Sequence, residues 1–222
     1  NPDDDVEFAG RVFFEPLKGT DSAWAGLGFG LGASAGEKHG AGSSFLPRYR
    51  TPGQATFFSY RGTVLADGSH RRWSPQGWFH RDGFGLQGEY IVSRQDVARD
   101  GRRAALQHRA WQATASYVLS GEDAGYRGVT PARPFGSNGG LGAFELTARY
   151  GVLDIDDDAF PFYTDPAVSA SRVRAWTLGA NWYLTANLKL ATNYLHSRFD
   201  AAPGGIALPA EKAVFSRLQV SF

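Results

Sequence analysis

The chain contains no cysteine and no methionine. Without cysteine there is no disulfide framework, no thiolate metal site and no cysteine nucleophile. Methionine is missing even at position 1, so the expectation is a mature form or a fragment whose export signal has gone. No run of eighteen apolar residues occurs, which excludes a transmembrane helix. The net charge of +1 over 222 residues gives no bulk basic character, so nucleic acid is not an expected partner. His39, His70, His80, His108 and His196 show no metal-ligand spacing on a common element. Neither a metal nor another cofactor is expected.

What is abundant points to strands. Aromatic residues make up 14% of the chain and glycines number 28, a composition suited to short turns and aromatic belts. A mean hydropathy of −0.32 resembles that of a soluble protein. A transmembrane β-barrel has the same average, because only every second residue of a strand faces lipid. In the last twelve residues Val214, Leu218, Val220 and Phe222 share one parity, interrupted only by Ser216. Phe215, Arg217, Gln219 and Ser221 share the other. That two-residue period predicts a strand with one apolar and one largely polar face, ending on an aromatic residue. Similar alternation predicts ten strands, near 5–15, 22–36, 55–64, 70–80, 84–94, 108–120, 141–152, 172–184, 188–199 and 211–222. Turn residues fall at 66–69, 81–83 and 185–187. Longer connections cover 37–54, 95–107, 121–140, 153–171 and 200–210.

Two strands carry the membrane argument. Trp111, Ala113, Ala115, Tyr117 and Leu119 face away from Gln112, Thr114 and Ser116. Trp176, Leu178, Ala180, Trp182 and Leu184 likewise oppose Thr177, Gly179, Asn181 and Tyr183. The paired aromatics sit six residues apart, about 20 Å along a strand and roughly 15 Å along the membrane normal at the usual tilt. That approaches the separation of two interfacial girdles. A soluble sandwich with an aromatic interior is the competing reading. Against it, Glu145, Thr147 and Arg149 share a face, and charge spread over an inner face suits a wet lumen. The fold class is therefore all-β, an antiparallel transmembrane barrel. Alternating connections make 81–83 and 185–187 short periplasmic turns, and 153–171 and 200–210 long outer loops. The same counting puts 37–54 and 121–140 on the periplasmic side, which calls for a miscounted strand or an inward-folded segment.

The blocks LPRYRTPGQATFFSY (46–60), GEDAGYRGV (121–129), GAFELTARYG (142–151) and WTLGANWYLTANLKLATNYLHSRFD (176–200) resemble the phosphate- and polyphosphate-selective O/P porins of Gram-negative outer membranes. The resemblance covers essentially the whole chain. It implies a C-terminal portion of a single sixteen-stranded, homotrimeric porin barrel spanning 1–222, with about six strands upstream. It also implies that 121–140 folds into the lumen as a turn. Phosphate, polyphosphate or other small anions would be the cargo, and outer-membrane lipid and lipopolysaccharide the surroundings.

An anion channel needs wall cations that bind weakly enough to let the ion go. Parity puts Arg149, Lys189 and Arg217 on the lumenal side, with Arg61 and Arg11 as further candidates. Lys189 also matches, by the resemblance, a lysine of the family's central phosphate site; a snorkelling rim lysine is the alternative. Arg127 and Arg133 would reach permeating anions if 121–140 folds inward, and Arg48 and Arg50 are weaker candidates of the same kind. Arg109 shares parity with Trp111 and is expected at the outer headgroup level. Asp154, Asp156, Asp157 and Asp158 lack a regular cation-loop pattern and are expected in a solvated outer loop. No catalysis is expected. An outer-membrane hydrolase would need His196 beside Asn193 or Ser197, and alternation puts His196 on the opposite face. The other alternative is a structural or adhesin-type barrel with a plugged lumen, whose arginines would pair with lumenal carboxylates such as Glu145, Glu7 or Glu15.

Overall fold

The alternating segments form one antiparallel sheet in a computed structural model that describes residues 5–137 and 139–221. Its strands are β1 (Glu7–Phe14), β2 (Leu27–Ala41), β5 (Leu65–Arg81), β6 (Phe84–Arg99), β7 (Arg102–Val118), β8 (Ala143–Asp154), β9 (Ala170–Tyr183), β10 (Leu188–Ala201) and β11 (Glu211–Val220). They pair in the order β1-β2-β5-β6-β7-β8-β9-β10-β11. Two short strands, β3 (Arg48–Arg50) and β4 (Thr56–Ser59), pair only with each other. The sheet is open: β1 and β11 each have a strand neighbour on one side only among the described residues.

Within the paired strands β7 to β11 the register keeps the expected parity. Leu190 lies opposite Leu218, and Tyr194 opposite Val214. Phe144 lies opposite Trp182, and Tyr150 opposite Trp176. One face is thus apolar and exposed, including Trp111, Leu146, Leu178, Val214, Leu218 and Val220. The exposure of so many large apolar residues on one face is the mark of a surface covered by another apolar medium. Phe222, the expected terminal aromatic of that face, lies outside the described residues.

Three expected boundaries are corrected. Segment 55–64 is not a strand of the sheet. Phe57 and Phe58 are adjacent and both buried, so this stretch keeps no single face free for an exterior. Residues 42–64 are one connection, and nine strands form the sheet where ten were expected. Segment 95–107 is not a loop, because β6 and β7 continue to a two-residue turn at Asp100 and Gly101. Their φ values of 48° and 77° are what a tight hairpin of matching twist requires. Residues 66–69 lie within β5, where the pairing with β6 shifts register between Ala66 and His70.

The corrected count gathers the connections differently. One end of the sheet carries 42–64, Asp100-Gly101, 155–169 and 202–210; the other carries 15–26, Asp82-Gly83, 119–142 and 184–187. The conflict over 37–54 disappears, since 42–64 now joins the same end as 155–169. The main apolar core also sits at that end. Leu46, Phe57, Phe58 and Val64 pack with Ile155, Ala159 and Tyr163 against Val97, Leu106 and Val173 of the sheet. Arg61 joins the two connections through Asp165 at 3.3 Å, and the Thr164 hydroxyl donates to the Ser59 carbonyl at 2.6 Å.

Candidate pore-lining face

Opposite the apolar face, alternation lines up the polar residues. Gln87 lies across from Thr114 and Glu89 from Gln112; Thr114 in turn lies across from Arg149. Arg149 lies across from Thr177 and Glu145 from Asn181. Lys189 has Tyr183 on one side and Gln219 on the other. Arg217 faces Ala191 one step along the strand, making it a diagonal neighbour of Lys189. The structure therefore brings Arg149, Lys189 and Arg217 onto one face. Arg149 is exposed, and its Nε donates to Thr114 Oγ1 at 3.2 Å. Lys189 Nζ rests 4.8 Å from the Tyr183 ring centre, a cation–π contact that leaves part of the ammonium free to meet an anion.

Arg11 reaches the same face from β1. It donates to Gln76 Oε1, with its guanidinium carbon 4.2 Å from the Phe13 ring centre. Arg11 and Arg149 line one cavity of about 300 Å³ together with Gln76, Gln87, Gln112 and Glu89. Glu89 is held by Ser74 at 2.5 Å, Gln76 at 2.9 Å and Gln112 at 3.1 Å. Its carboxylate is thus occupied by neutral donors. Glu145 is occupied likewise, by Asn181 and the Tyr183 hydroxyl, each at 2.8 Å. Glu7 instead takes Arg72 and, at 3.8 Å, Lys38. Among the described residues, Arg11, Arg149, Lys189 and Arg217 form no ion pair within 4.0 Å.

The other candidates are placed differently. Arg127 and Arg133 lie in the 119–142 connection and are exposed. Beside them Tyr126 packs on Trp78 at 5.7 Å, and Val129 is buried with Val118, Ala143 and Tyr183. Arg61 is not with the other cations; it is held at the far end by Asp165 and the Pro161 carbonyl. Arg48 and Arg50 belong to the short strand β3. Arg109 is exposed on the apolar side, two residues from Trp111. Asp154 pairs with Arg172, and Asp156 caps a 3₁₀ turn at Asp157–Ala159. No group of residues suited to holding a metal occurs among the described residues. His196 packs on Trp176, while Ser197 is buried on the opposite face beside the Ala175 register position. The nucleophile–base pair that a hydrolase would need there does not form.

Arg72, Lys38 and Glu89 were not anticipated. Arg72 was legible from its parity with Ser74 and Gln76; Glu89 has the parity of Gln87. Lys38 was hidden because 37–54 looks like a loop.

The sequence profile described as "Phosphate-selective porin O and P" matches residues 9–222. The chain belongs to this porin family. Porin O of Pseudomonas aeruginosa is 27% identical over 131 residues, covering 58% of the chain and 30% of that protein. An uncharacterized protein of Caulobacter vibrioides is 32% identical over 87 residues, covering 37% of the chain and 16% of its own length. The porin chain thus spans less than a third of either of these curated relatives. Its all-β antiparallel architecture is consistent with a portion of a porin barrel.

Proposed function

We propose that this chain forms part of the wall of a passive, anion-selective porin in the outer membrane of a Gram-negative bacterium. The observation that carries the proposal is the set of four cations, Arg11, Arg149, Lys189 and Arg217, on the polar face without ion-pair partners among the described residues. Fixed charges along a wall bounded by low dielectric focus their field into the passage and raise the local anion concentration. Arg offers the two-pronged donor geometry that suits phosphate. Phosphate and polyphosphate are the proposed cargo, passing by electrodiffusion with no chemistry. Proposed alongside are lipid contact at the apolar face, completion of a sixteen-stranded barrel across the edges of β1 and β11, and a homotrimer. Unpaired strand edges favour pairing with further strands. The 119–142 connection is proposed to turn inward, offering Arg127 and Arg133 to the passage; Tyr126 against Trp78 supports this. The long-loop end with 42–64 and 155–169 is assigned to the cell exterior, as barrels prefer.

The full-length protein in a planar bilayer under a salt gradient should give a reversal potential of anion-selective sign. Cation selectivity would overturn the proposal. One observation favours the plugged barrel: segments 42–64 and 155–169 cover the polar face at one end. Absence of any conductance would decide for that reading.

A further inference from the structure

On the apolar face, each of six neighbouring strands contributes one aromatic at a similar height: Trp73, Tyr90, Trp111, Tyr150, Trp176 and Tyr194. Their rings touch in pairs, Trp73 with Tyr90 at 5.8 Å, Trp111 with Tyr150 at 5.6 Å, and Trp176 with Tyr194 at 5.3 Å. Immediately beyond this row, toward the long-loop end, the same face becomes basic. Arg71 lies directly opposite Arg94, and Arg174 directly opposite Arg198. Arg109, which lies opposite Asp154, and Lys212 continue the row, and all six side chains belong to exposed residues. Like charges directly opposite each other in a sheet repel. Two such pairs on one face call for an anion outside the chain, because the chain supplies only part of the compensation. Asp200 takes Arg174, with oxygens at 2.5 and 2.7 Å, and Asp154 takes Arg172. Arg71 has only the Ser69 hydroxyl at 3.1 Å, and neither Arg94 nor Arg198 has an ion pair among the described residues.

We infer that this row is a docking collar for the phosphate groups of a phosphorylated glycolipid in the outer leaflet. The inference rests on the reading of the apolar face as lipid-facing. Its occupant follows from height and charge together. Aromatic girdles sit at the headgroup level, so arginines one step further out meet the layer where lipid phosphates lie. Guanidinium pairs bind phosphate oxygens bidentately, and basic residues at a membrane surface each add to the attraction for anionic lipid. Because the collar points away from the polar face, it is separate from the proposed anion path.

The test uses the full-length protein in detergent, titrated with diphosphoryl lipid A, dephosphorylated lipid A or inorganic phosphate, with melting followed by tryptophan fluorescence. Diphosphoryl lipid A is expected to raise the melting temperature and dephosphorylated lipid A is not; inorganic phosphate, which the polar-face cations also take, is expected to act equally on the wild type and on the variant below. The fourfold variant Arg71→Gln, Arg94→Gln, Arg174→Gln, Arg198→Gln should bind diphosphoryl lipid A at least about tenfold more weakly. The lysine counterpart should keep most of the shift. An undiminished shift in the glutamine variant, an equal shift with dephosphorylated lipid, or a shift with inorganic phosphate that the glutamine variant loses would overturn the collar. So would dissociation of the glutamine variant's oligomer, which would assign the row to contact between copies. Ion selectivity measured on wild-type protein from the same preparation reports on the channel reading alone.

Discussion

Lys189 and Arg217 show how much a single position decides. They are diagonal neighbours on β10 and β11, yet Lys189 rests on the Tyr183 ring while Arg217 is exposed near the open edge of the sheet. The Tyr183 hydroxyl holds Glu145 at 2.8 Å, which keeps that carboxylate engaged beside the lysine. Lys189→Ala is therefore expected to weaken phosphate block of chloride current by roughly fivefold, the effect of about 1 kcal/mol for a partly exposed charge. Lys189→Arg should retain the block. Equal block by phosphate in the alanine variant and the wild type would remove Lys189 from the path. These strand cations were legible because parity needs no knowledge of neighbours. Arg61 was not, because its assignment depended on 55–64 being a strand of the wall. What fixes Arg61 is Asp165, 104 residues away in sequence, and no local pattern announces that contact.

Elements at the two ends depend on different interactions. At the long-loop end Phe58 is fully buried among Tyr49, Tyr60 and His108, with ring centres 5.0 to 5.5 Å away. Burial pushes the Tyr49 hydroxyl up to about 12, so Tyr49 stays neutral through the physiological range. Phe58→Ala should cost about 3–5 kcal/mol, seen as faster proteolytic cleavage within 42–64; an unchanged cleavage rate would show that the segment is held by other contacts. In the 119–142 connection the Glu122 carboxylate accepts from the Ser120 hydroxyl at 2.5 Å and from the Ala132 backbone N–H at 3.1 Å. Burial raises its pKa, but these hydrogen bonds and the nearby Arg133 outweigh it, and the net direction is down. A carboxyl group depressed in the folded state stabilises above its ordinary value and loses that contribution as pH falls through the depressed value. Hydrogen-exchange protection across 120–132 should therefore drop below about pH 4, and Glu122→Gln should remove that pH step. A step of equal size in the glutamine variant would place the titration elsewhere. The sequence alone suggested that 121–140 was unusual, through the conflict it created in counting connections. It could not show that Tyr126 meets Trp78, since that contact joins a connection to a strand two hairpins away.

Across the whole molecule the sheet separates two environments. The apolar face, the six-aromatic row and the basic residues beyond it follow the height expected for a membrane. The polar face keeps Glu89 and Glu145 occupied by neutral donors, while Arg11, Arg149, Lys189 and Arg217 form no ion pair among the described residues. Alternation made this division readable from sequence at almost every strand, because a period of two is local and survives errors in strand length. Long polar strand extensions were harder to see. β6 and β7 continue past the aromatic row with arginines and glutamines on both faces and Asp96 on one, so their apolar pattern stops before their pairing does. The separation has a measurable consequence for permeation. If the polar face lines the passage as proposed, cations without carboxylate partners act on permeating ions through solvent, where their field decays over about 10 Å at 0.1 M salt and about 3 Å at 1 M. Anion selectivity in a fixed salt ratio across the bilayer should therefore fall as both concentrations rise over that range. A steric filter would give a reversal potential nearly independent of absolute salt. Arg11→Gln combined with Arg149→Gln should flatten the low-salt part of the curve, because these two cations line one cavity. A double variant that kept the wild-type salt dependence would show that this cavity lies off the conduction path.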